Sequence, residues 1–158
     1  MIFENLFPEN KVWIYISSQL IDKSLFNKLN EKFNNFFTDW KSHGEQIQGE
    51  FKVIDNYIIA LTATVRNGGM CGRAVDAQVR FMKDLDQDFD LDLLNRNKMG
   101  FISNNQLKIF DFKDLNNLIK QNEINQNTIW CNTFLSTNNE EVYLPFSKSP
   151  FASLYFSK

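Results

Sequence analysis

The sequence predicts a single α+β domain with a mainly antiparallel sheet and helices packed on one of its faces. The chain has 158 residues, 43% of them hydrophobic and 16 of them Phe, which is enough to build one substantial core. The predicted elements follow the order βαββαββαβ, which is typical of α+β domains rather than of alternating α/β folds. The first part of this order matches the βαββα start of a ferredoxin-like unit. Since no Pro-, Gly- or Ser-rich linker divides the chain, we expect one domain over residues 1–158.

The first half of the chain supplies a strand, a helix and a hairpin. Residues 11–18 are rich in β-branched and aromatic side chains, which favours a buried strand. Asp22 is a suitable cap for a helix that reaches His43, with Gly44 as its left-handed terminating residue. The helix has an apolar stripe with spacings of 4, 4, 3 and 4, formed by Leu25, Leu29, Phe33, Phe36 and Trp40. Asp55-Asn56 then predicts a tight turn between two strands within residues 46–65.

The second half predicts another helix, a second hairpin and an aromatic tail. Apolar residues at helical spacing indicate a helix over about 72–88, and Asn104-Asn105 predicts a turn between strands 99–102 and 107–112. A short helix over 114–120 and strands over 128–135 and 142–146 complete the predicted order. Residues 145–158 contain Pro145, Pro150 and several aromatic side chains. We expect this tail to be ordered, largely extended, and packed on the domain or on the partner in a homodimer.

Composition excludes several classes of protein. The chain has 17 Lys and Arg against 19 Asp and Glu, which argues against a general nucleic-acid binder. No apolar run approaches the ~20 residues that a membrane helix requires. Residues 1–10 lack the pattern of a signal peptide, and two cysteines do not make a disulfide framework. We therefore expect a cytoplasmic protein with reduced thiols, without nucleic-acid or membrane partners.

Four ordered motifs carry a resemblance to a known family. They are Trp13-Ile14-Tyr15, Trp40-x-x-His43-Gly44, Cys71-x-x-x-x-Asp76-x-x-Val79-Arg80-Phe81 and Asn127-Thr128-Ile129-x-x-Asn132. With these motifs the chain resembles, to about Phe134, a family of small Bacteroidetes proteins commonly labelled "ABC transporter ATPase". That label implies ATP binding. An ATPase of this class needs the phosphate-binding pattern G-x-x-x-x-G-K-[ST], and residues 67–73 contain no Lys-Ser or Lys-Thr. The residues therefore argue against the activity that the label implies.

The segment from Arg66 to Phe81 is the candidate functional site. Here a strand is expected to end in a Gly-Gly turn, and a helix begins near Cys71, where unpaired backbone N–H groups favour an anion or a thiolate. The candidate ligand-binding residues are Arg66, Gly68, Gly69, Cys71, Arg73, Asp76 and Arg80. Cys71 is the one candidate nucleophile, because its position can lower the thiol pKa. The alternative is that the glycines form the turn and Cys71 packs as a small hydrophobic residue.

Two further groups near this segment have competing interpretations. Asp76 and Arg80 are spaced for an intrahelical ion pair, although Arg80 is also suited to binding a carboxylate in a cleft. His43 is the only histidine, and its expected place in the last helical turn favours a capping role. A simple βαββα arrangement puts His43 and Cys71 at opposite ends of the helical layer, so we expect no Cys71–His43 pair.

No cofactor or metal site is expected. One histidine and two separated cysteines give no recognised zinc spacing. The alternating aspartates from Asp84 to Asp92 resemble a calcium loop, but Phe89 and Asn95 occupy the positions that require Gly and Glu.

The sequence favours a non-enzymatic binding or interaction module, because no complete catalytic set can be assembled. Its expected partner is a small anionic ligand held near Cys71, or another protein. The first alternative is a thiol-dependent enzyme or redox sensor that uses Cys71. The second is an ATP-binding protein, as the family label implies.

Overall fold

The computed structural model describes residues 1–66 and 69–156, and within them it confirms the α+β class. In chain order the elements are β1 (Lys11–Ile16), α1 (Lys23–Asp39), β2 (Lys41–Ser42), β3 (Glu45–Gln46), β4 (Gln48–Ile54), β5 (Ile58–Thr64), α2 (Gly72–Phe89), β6 (Lys98–Ser103), β7 (Gln106–Asp111), α3 (Leu115–Lys120), β8 (Ile129–Cys131), β9 (Tyr143–Pro145) and α4 (Ala152–Tyr155). Every strand pairing among these elements is antiparallel.

The first sheet has the strand order β1-β5-β4. Strands β1 and β4, which α1 connects, lie on either side of β5, as in the split βαβ arrangement of a ferredoxin-like start. The turn between β4 and β5 has Asp55 and Asn56 at φ values of 50° and 64°. Aspartate and asparagine tolerate this left-handed conformation, so the predicted hairpin forms where the sequence indicated it.

Both long helices pack on one face of this first sheet. The Asp22 carboxylate caps α1 by accepting a hydrogen bond of 2.8 Å from the backbone N–H of Leu25. The buried face of α1 contributes Leu29 and Phe33, and that of α2 contributes Met82 and Leu85. They pack against side chains from β1 and β5, namely Tyr15, Ile59 and Leu61. The helical layer therefore forms as the periodicity predicted.

A second sheet covers the opposite face of the first. It has the order β7-β6-β8-β9, and its Cys131 packs against Val12, Ile14, Ile58 and Ala60 of the first sheet. The far face of the second sheet is covered by α3 and the C-terminal segment. The single sheet that the sequence suggested is thus two stacked sheets, because the residues of β1 and β5 are apolar on both faces and must be covered on both.

Side chains cover part of the open edge of β1, and residues 136 and 137 pair with its start. A complete ferredoxin-like unit would pair its fourth strand here, but β6 instead pairs with β7 and β8. The Arg96 guanidinium donates a 3.2 Å hydrogen bond to the carbonyl of Ile14, and the Lys98 ammonium donates to the carbonyl of Ile16. These two cations therefore satisfy carbonyl groups that an edge strand would otherwise leave unpaired.

Over its described residues, to Phe156, the C-terminal segment packs on the domain, but it is not largely extended as predicted. After β9 the chain forms a 3₁₀ turn over Phe146–Lys148 and then α4. Phe146 is fully buried against the second sheet, and Phe151 and Tyr155 pack beside it on the same chain. Pro150 interrupts the extended path, and the aromatic side chains reach the core through helical turns. Packing on a dimer partner stays a prediction.

Candidate functional site

The candidate site lies where the first sheet meets the start of α2. Strand β5 ends at Thr64, and Cys71 is the N-cap residue of the 18-residue helix, with an extended backbone conformation. Its carbonyl accepts the first hydrogen bonds of the helix, from the N–H groups of Ala74 and Val75. The side chain of Cys71 makes no capping hydrogen bond to the helix. The sulfur is therefore available beside the positive end of the helix dipole.

A small hairpin that the sequence interpretation missed holds the other side of the site. Helix α1 ends at Asp39 rather than at His43, and β2 and β3 pair across a two-residue turn of His43 and Gly44. Both turn residues have positive φ, 52° and 81°, as a type I′ turn requires. Gly44 thus terminates no helix. It closes a hairpin that folds back toward α2.

Ser42 of this hairpin connects directly to Cys71. The Ser42 hydroxyl is fully buried and accepts a 2.9 Å hydrogen bond from the backbone N–H of Cys71. It also lies 3.5 Å from the carbonyl of Gly69. No sequence motif pointed to Ser42, because only the reversal of the chain after Trp40 brings it to the helix start.

The hairpin also places His43 beside Cys71, contrary to the expectation from the simple topology. That expectation depended on α1 continuing to His43, which would have left the histidine at the far end of the helical layer. Because the chain instead reverses after Trp40, the backbone N–H of His43 lies within hydrogen-bonding reach of the Cys71 sulfur, and its side chain interacts with it electrostatically. The prediction that the two residues lie apart was wrong.

These contacts lower the pKa of Cys71 from its ordinary value to about 7. The largest cause is the Ser42 hydroxyl beside the sulfur, followed by the nearby backbone N–H groups of Ala74 and His43. Each of these groups stabilises the thiolate more than the thiol. The site can therefore hold a substantial fraction of thiolate near neutral pH.

Cys131 has the opposite environment. It is buried between the two sheets, and burial raises its pKa to about 12. It packs on the face of the first sheet away from the helices, whereas Cys71 packs beside Trp40 and Ala74 on the helical side. Both cysteines are free, as expected from the sequence. Only Cys71 is placed for chemistry.

The charged candidates do not converge on Cys71. The side chains of Arg66, Arg73, Asp76 and Arg80 are exposed, and none of them makes a hydrogen bond or ion pair within residues 1–66 and 69–156. The predicted Asp76–Arg80 pair does not form, since the one ion pair in that part of the chain joins Lys32 and Asp88 at 3.6 Å. Gly69 is exposed and precedes the helix, while Gly68 lies outside the described residues.

Neither a metal centre nor a membrane helix is found in the described part of the chain. There, no three His, Cys, Asp or Glu residues are grouped so that they could hold a metal ion. No helix among the same residues combines the length and apolar character that crossing a bilayer requires.

The aromatic residues around the site tie its elements together. The Trp40 indole Nε1 donates a 2.9 Å hydrogen bond to the carbonyl of Ala74 in the first turn of α2, and the Trp13 and Trp40 rings lie 6.4 Å apart. Segments from three of the four motifs, at Trp13, at Trp40 to Gly44 and at Cys71, thus meet at one place.

A scan against family models, a search of curated proteins and a search of solved structures each found no match for this chain.

Proposed function

We propose that the protein works through the Cys71 thiolate as a nucleophile, as a thiol-dependent enzyme or redox sensor. The observation that carries the proposal is the set of donors around the Cys71 sulfur, from Ser42, Ala74 and His43, which lowers the thiol pKa to about 7. A thiol with this pKa is about half ionised at neutral pH, and the thiolate is the reactive form.

The geometry supports attack on a small electrophile that approaches from solvent. Cys71 is half-buried, and the exposed His43 borders it on the hairpin side. In such a step the sulfur forms a bond to the electrophilic atom, and the leaving group departs with its electron pair. With a hydroperoxide, the S–O bond forms as the O–O bond breaks, which yields a sulfenate and an alcohol or water.

The position of Cys131 restricts the fate of an oxidised Cys71. The two sulfurs lie on opposite faces of the first sheet, so Cys131 cannot resolve a Cys71 sulfenate within the folded chain. These are the only two cysteines. An oxidised Cys71 would therefore be reduced by an external thiol, as in single-cysteine sensors and peroxidases.

The two other interpretations make different predictions at this site. A binding module would hold an anion at the helix start and leave Cys71 no more reactive than a free thiol. Its support is weaker, because the arginines near Cys71 are exposed and do not converge. The second alternative is ATP binding, which calorimetry with ATP and magnesium tests. A clear heat of binding would favour this alternative over thiol chemistry.

The decisive experiment is the rate of alkylation of Cys71 by iodoacetamide as a function of pH, followed by mass spectrometry of the intact protein. We expect a profile with a midpoint near pH 7, where a free thiol has its midpoint near ~8.5. Cys131 serves as an internal control and should remain unmodified in the folded protein.

Matched variants test whether the Ser42 hydroxyl sets the midpoint of the alkylation profile. Ser42→Ala removes the hydroxyl that contributes most to the lowered pKa, so the midpoint should rise toward that of a free thiol. Ser24→Ala, at an exposed position of α1, should leave it unchanged. A wild-type midpoint equal to that of N-acetylcysteine would end the thiol proposal, and so would a Ser42→Ala profile indistinguishable from wild type.

A further inference from the structure

A cavity of about 240 Å³ lies on the second sheet, and none of its lining residues belongs to the Cys71 site. Its apolar walls are formed by Met99, Phe112, Trp130, Phe134 and Phe151. Concave, largely apolar sites with a few convergent polar groups are typical of small-molecule binding.

The aromatic rings form a cup around this space. Ring centroids lie 6.3 Å apart for Trp130 and Phe134, 5.5 Å for Phe134 and Phe151, and 5.4 Å for Phe112 and Phe151. Trp130 is buried, whereas the Phe134 side chain is 57% exposed. A flat ring entering the cup would continue the same pattern of aromatic contacts and cover the exposed surface of Phe134.

Two cations and Thr133 form the polar part of the cavity. Arg96 uses one of its five N–H donors on the Ile14 carbonyl, and its guanidinium also lies 5.0 Å from the centroid of the Tyr15 ring, which leaves other N–H donors for a ligand. The Lys98 ammonium donates to the Ile16 carbonyl and lies 3.4 Å from that of Leu91. Across residues 1–66 and 69–156, neither cation has a carboxylate within 4.0 Å.

Charged groups near Lys98 act on it in both directions. Burial is the main cause that lowers the pKa of Lys98, Asp92 and Asp86 raise it, and the positive charge of Arg96 lowers it by less than either aspartate raises it. A carboxylate placed between the two cations would offset their repulsion, and its two oxygens match the planar fork of an arginine.

We propose that this cavity binds a small planar aromatic carboxylate, whose ring lies in the aromatic cup and whose carboxylate accepts hydrogen bonds from Arg96 and Lys98. The proposal does not depend on the reactivity of Cys71.

The test is a titration of the full-length protein with 2-naphthoate, observed through the three indole N–H resonances in two-dimensional NMR. We expect the Trp130 resonance to shift and saturate below about 10 mM ligand, as a dissociation constant of about 1 mM or less requires. The resonances of Trp13 and Trp40 should stay in place, because those rings pack on the other side of the first sheet. Naphthalene-2-carboxamide, which has the same ring without the charge, should bind at least about tenfold more weakly.

Two variants test the two halves of the cavity. Lys98→Met should weaken 2-naphthoate binding by at least about tenfold through loss of a charge-assisted hydrogen bond. Phe134→Ala, at the exposed rim, should weaken the binding of both compounds. Leu154→Ala, at another exposed position, should weaken the binding of neither. Equal affinity for the carboxamide would overturn the proposal. So would a Trp130 resonance that does not saturate, or tighter binding of a straight-chain carboxylate such as octanoate. The compound comparison on the wild-type protein decides the question even if Lys98→Met fails to fold.

Discussion

The Trp40 indole donates a hydrogen bond to the carbonyl of Ala74, and this bond joins the end of α1 to the first turn of α2. Trp40 is fully buried, and its ring also packs 4.8 Å from that of Phe36. One side chain thus fixes the distance between the β2–β3 hairpin and the helix start, the two elements that surround Cys71.

We expect Trp40→Phe to lower the free energy of unfolding by about 1–3 kcal/mol, because it removes a buried hydrogen bond and leaves a small cavity. Urea denaturation measures the loss. Trp13→Phe is the matched control, since Trp13 is half-buried and its indole N–H makes no hydrogen bond within the described residues. A larger loss for Trp13→Phe than for Trp40→Phe would contradict the assignment.

The stability of the protein should depend on pH through Cys71. The thiol pKa is lowered in the folded state, so the unfolded chain binds more protons between about pH 7 and about pH 8.5, and stability rises with pH across this window. Below the folded pKa the contribution is lost. Urea denaturation under reducing conditions should show this rise in wild type but not in Cys71→Ala. Because Cys131 is present in both proteins, its own titration cancels in the difference between their free energies of unfolding. Parallel pH curves for the two proteins would argue against a lowered pKa of Cys71.

Ending the chain at Pro150 should destabilise the domain. Phe151, Tyr155 and Phe156 pack against the second sheet on their own chain, and their partial burial contributes about 2–4 kcal/mol before ordering costs. We expect a lower melting temperature in calorimetry. Light scattering on the same sample addresses the homodimer, because a tail that also crossed to a partner would leave the shortened protein monomeric. An unchanged melting temperature would show that the tail packing contributes nothing.

Gly49→Ala should destabilise the first sheet where β4 passes α1. A Cβ at this position would lie 2.5 Å from Cε1 of Phe37, so the ring must move away from its neighbours. We expect a loss of about 1–3 kcal/mol in urea denaturation. Gly72→Ala is the control, because nothing lies within 4 Å of its Cβ and alanine favours the helix by about 0.5–1 kcal/mol. A stabilised Gly49→Ala protein would show that Phe37 moves at no cost.

The sequence predicts local structure well where side-chain periodicity and capping agree. The Asp22 cap, the apolar stripe of α1 and the turns at Asp55 and Asn104 all appear in the structure. The end of α1 was predicted wrongly, because His43-Gly44 suits a helix terminus as well as a type I′ turn. Pairing of Lys41 with Gln46, which no local pattern indicates, selects the turn.

The residues of the candidate site were likewise predictable only where local sequence patterns place them. Cys71 and its helix were predictable from the glycines and from the apolar spacing of the next residues. Ser42 and His43 were not, because their position depends on that hairpin. Similarly, the strand expected over 128–135 ends at Cys131, since the Asn132 side chain accepts a 3.1 Å hydrogen bond from the N–H of Phe134 and turns the chain. That turn brings Phe134 to the rim of the cavity.

The cations at the edge of β1 also affect how readily one molecule can add a strand to another. β1 is a run of Val, Trp, Ile and Tyr, a composition prone to intermolecular strand addition. A second molecule could add a strand there only by displacing the Arg96 and Lys98 side chains from the Ile14 and Ile16 carbonyls and by bringing its backbone close to two positive charges. These two side chains therefore oppose strand addition along one part of this edge, while the pairing of Lys11 with Thr137 and the hydrogen bond from the Val12 N–H to the Ser136 carbonyl close its start.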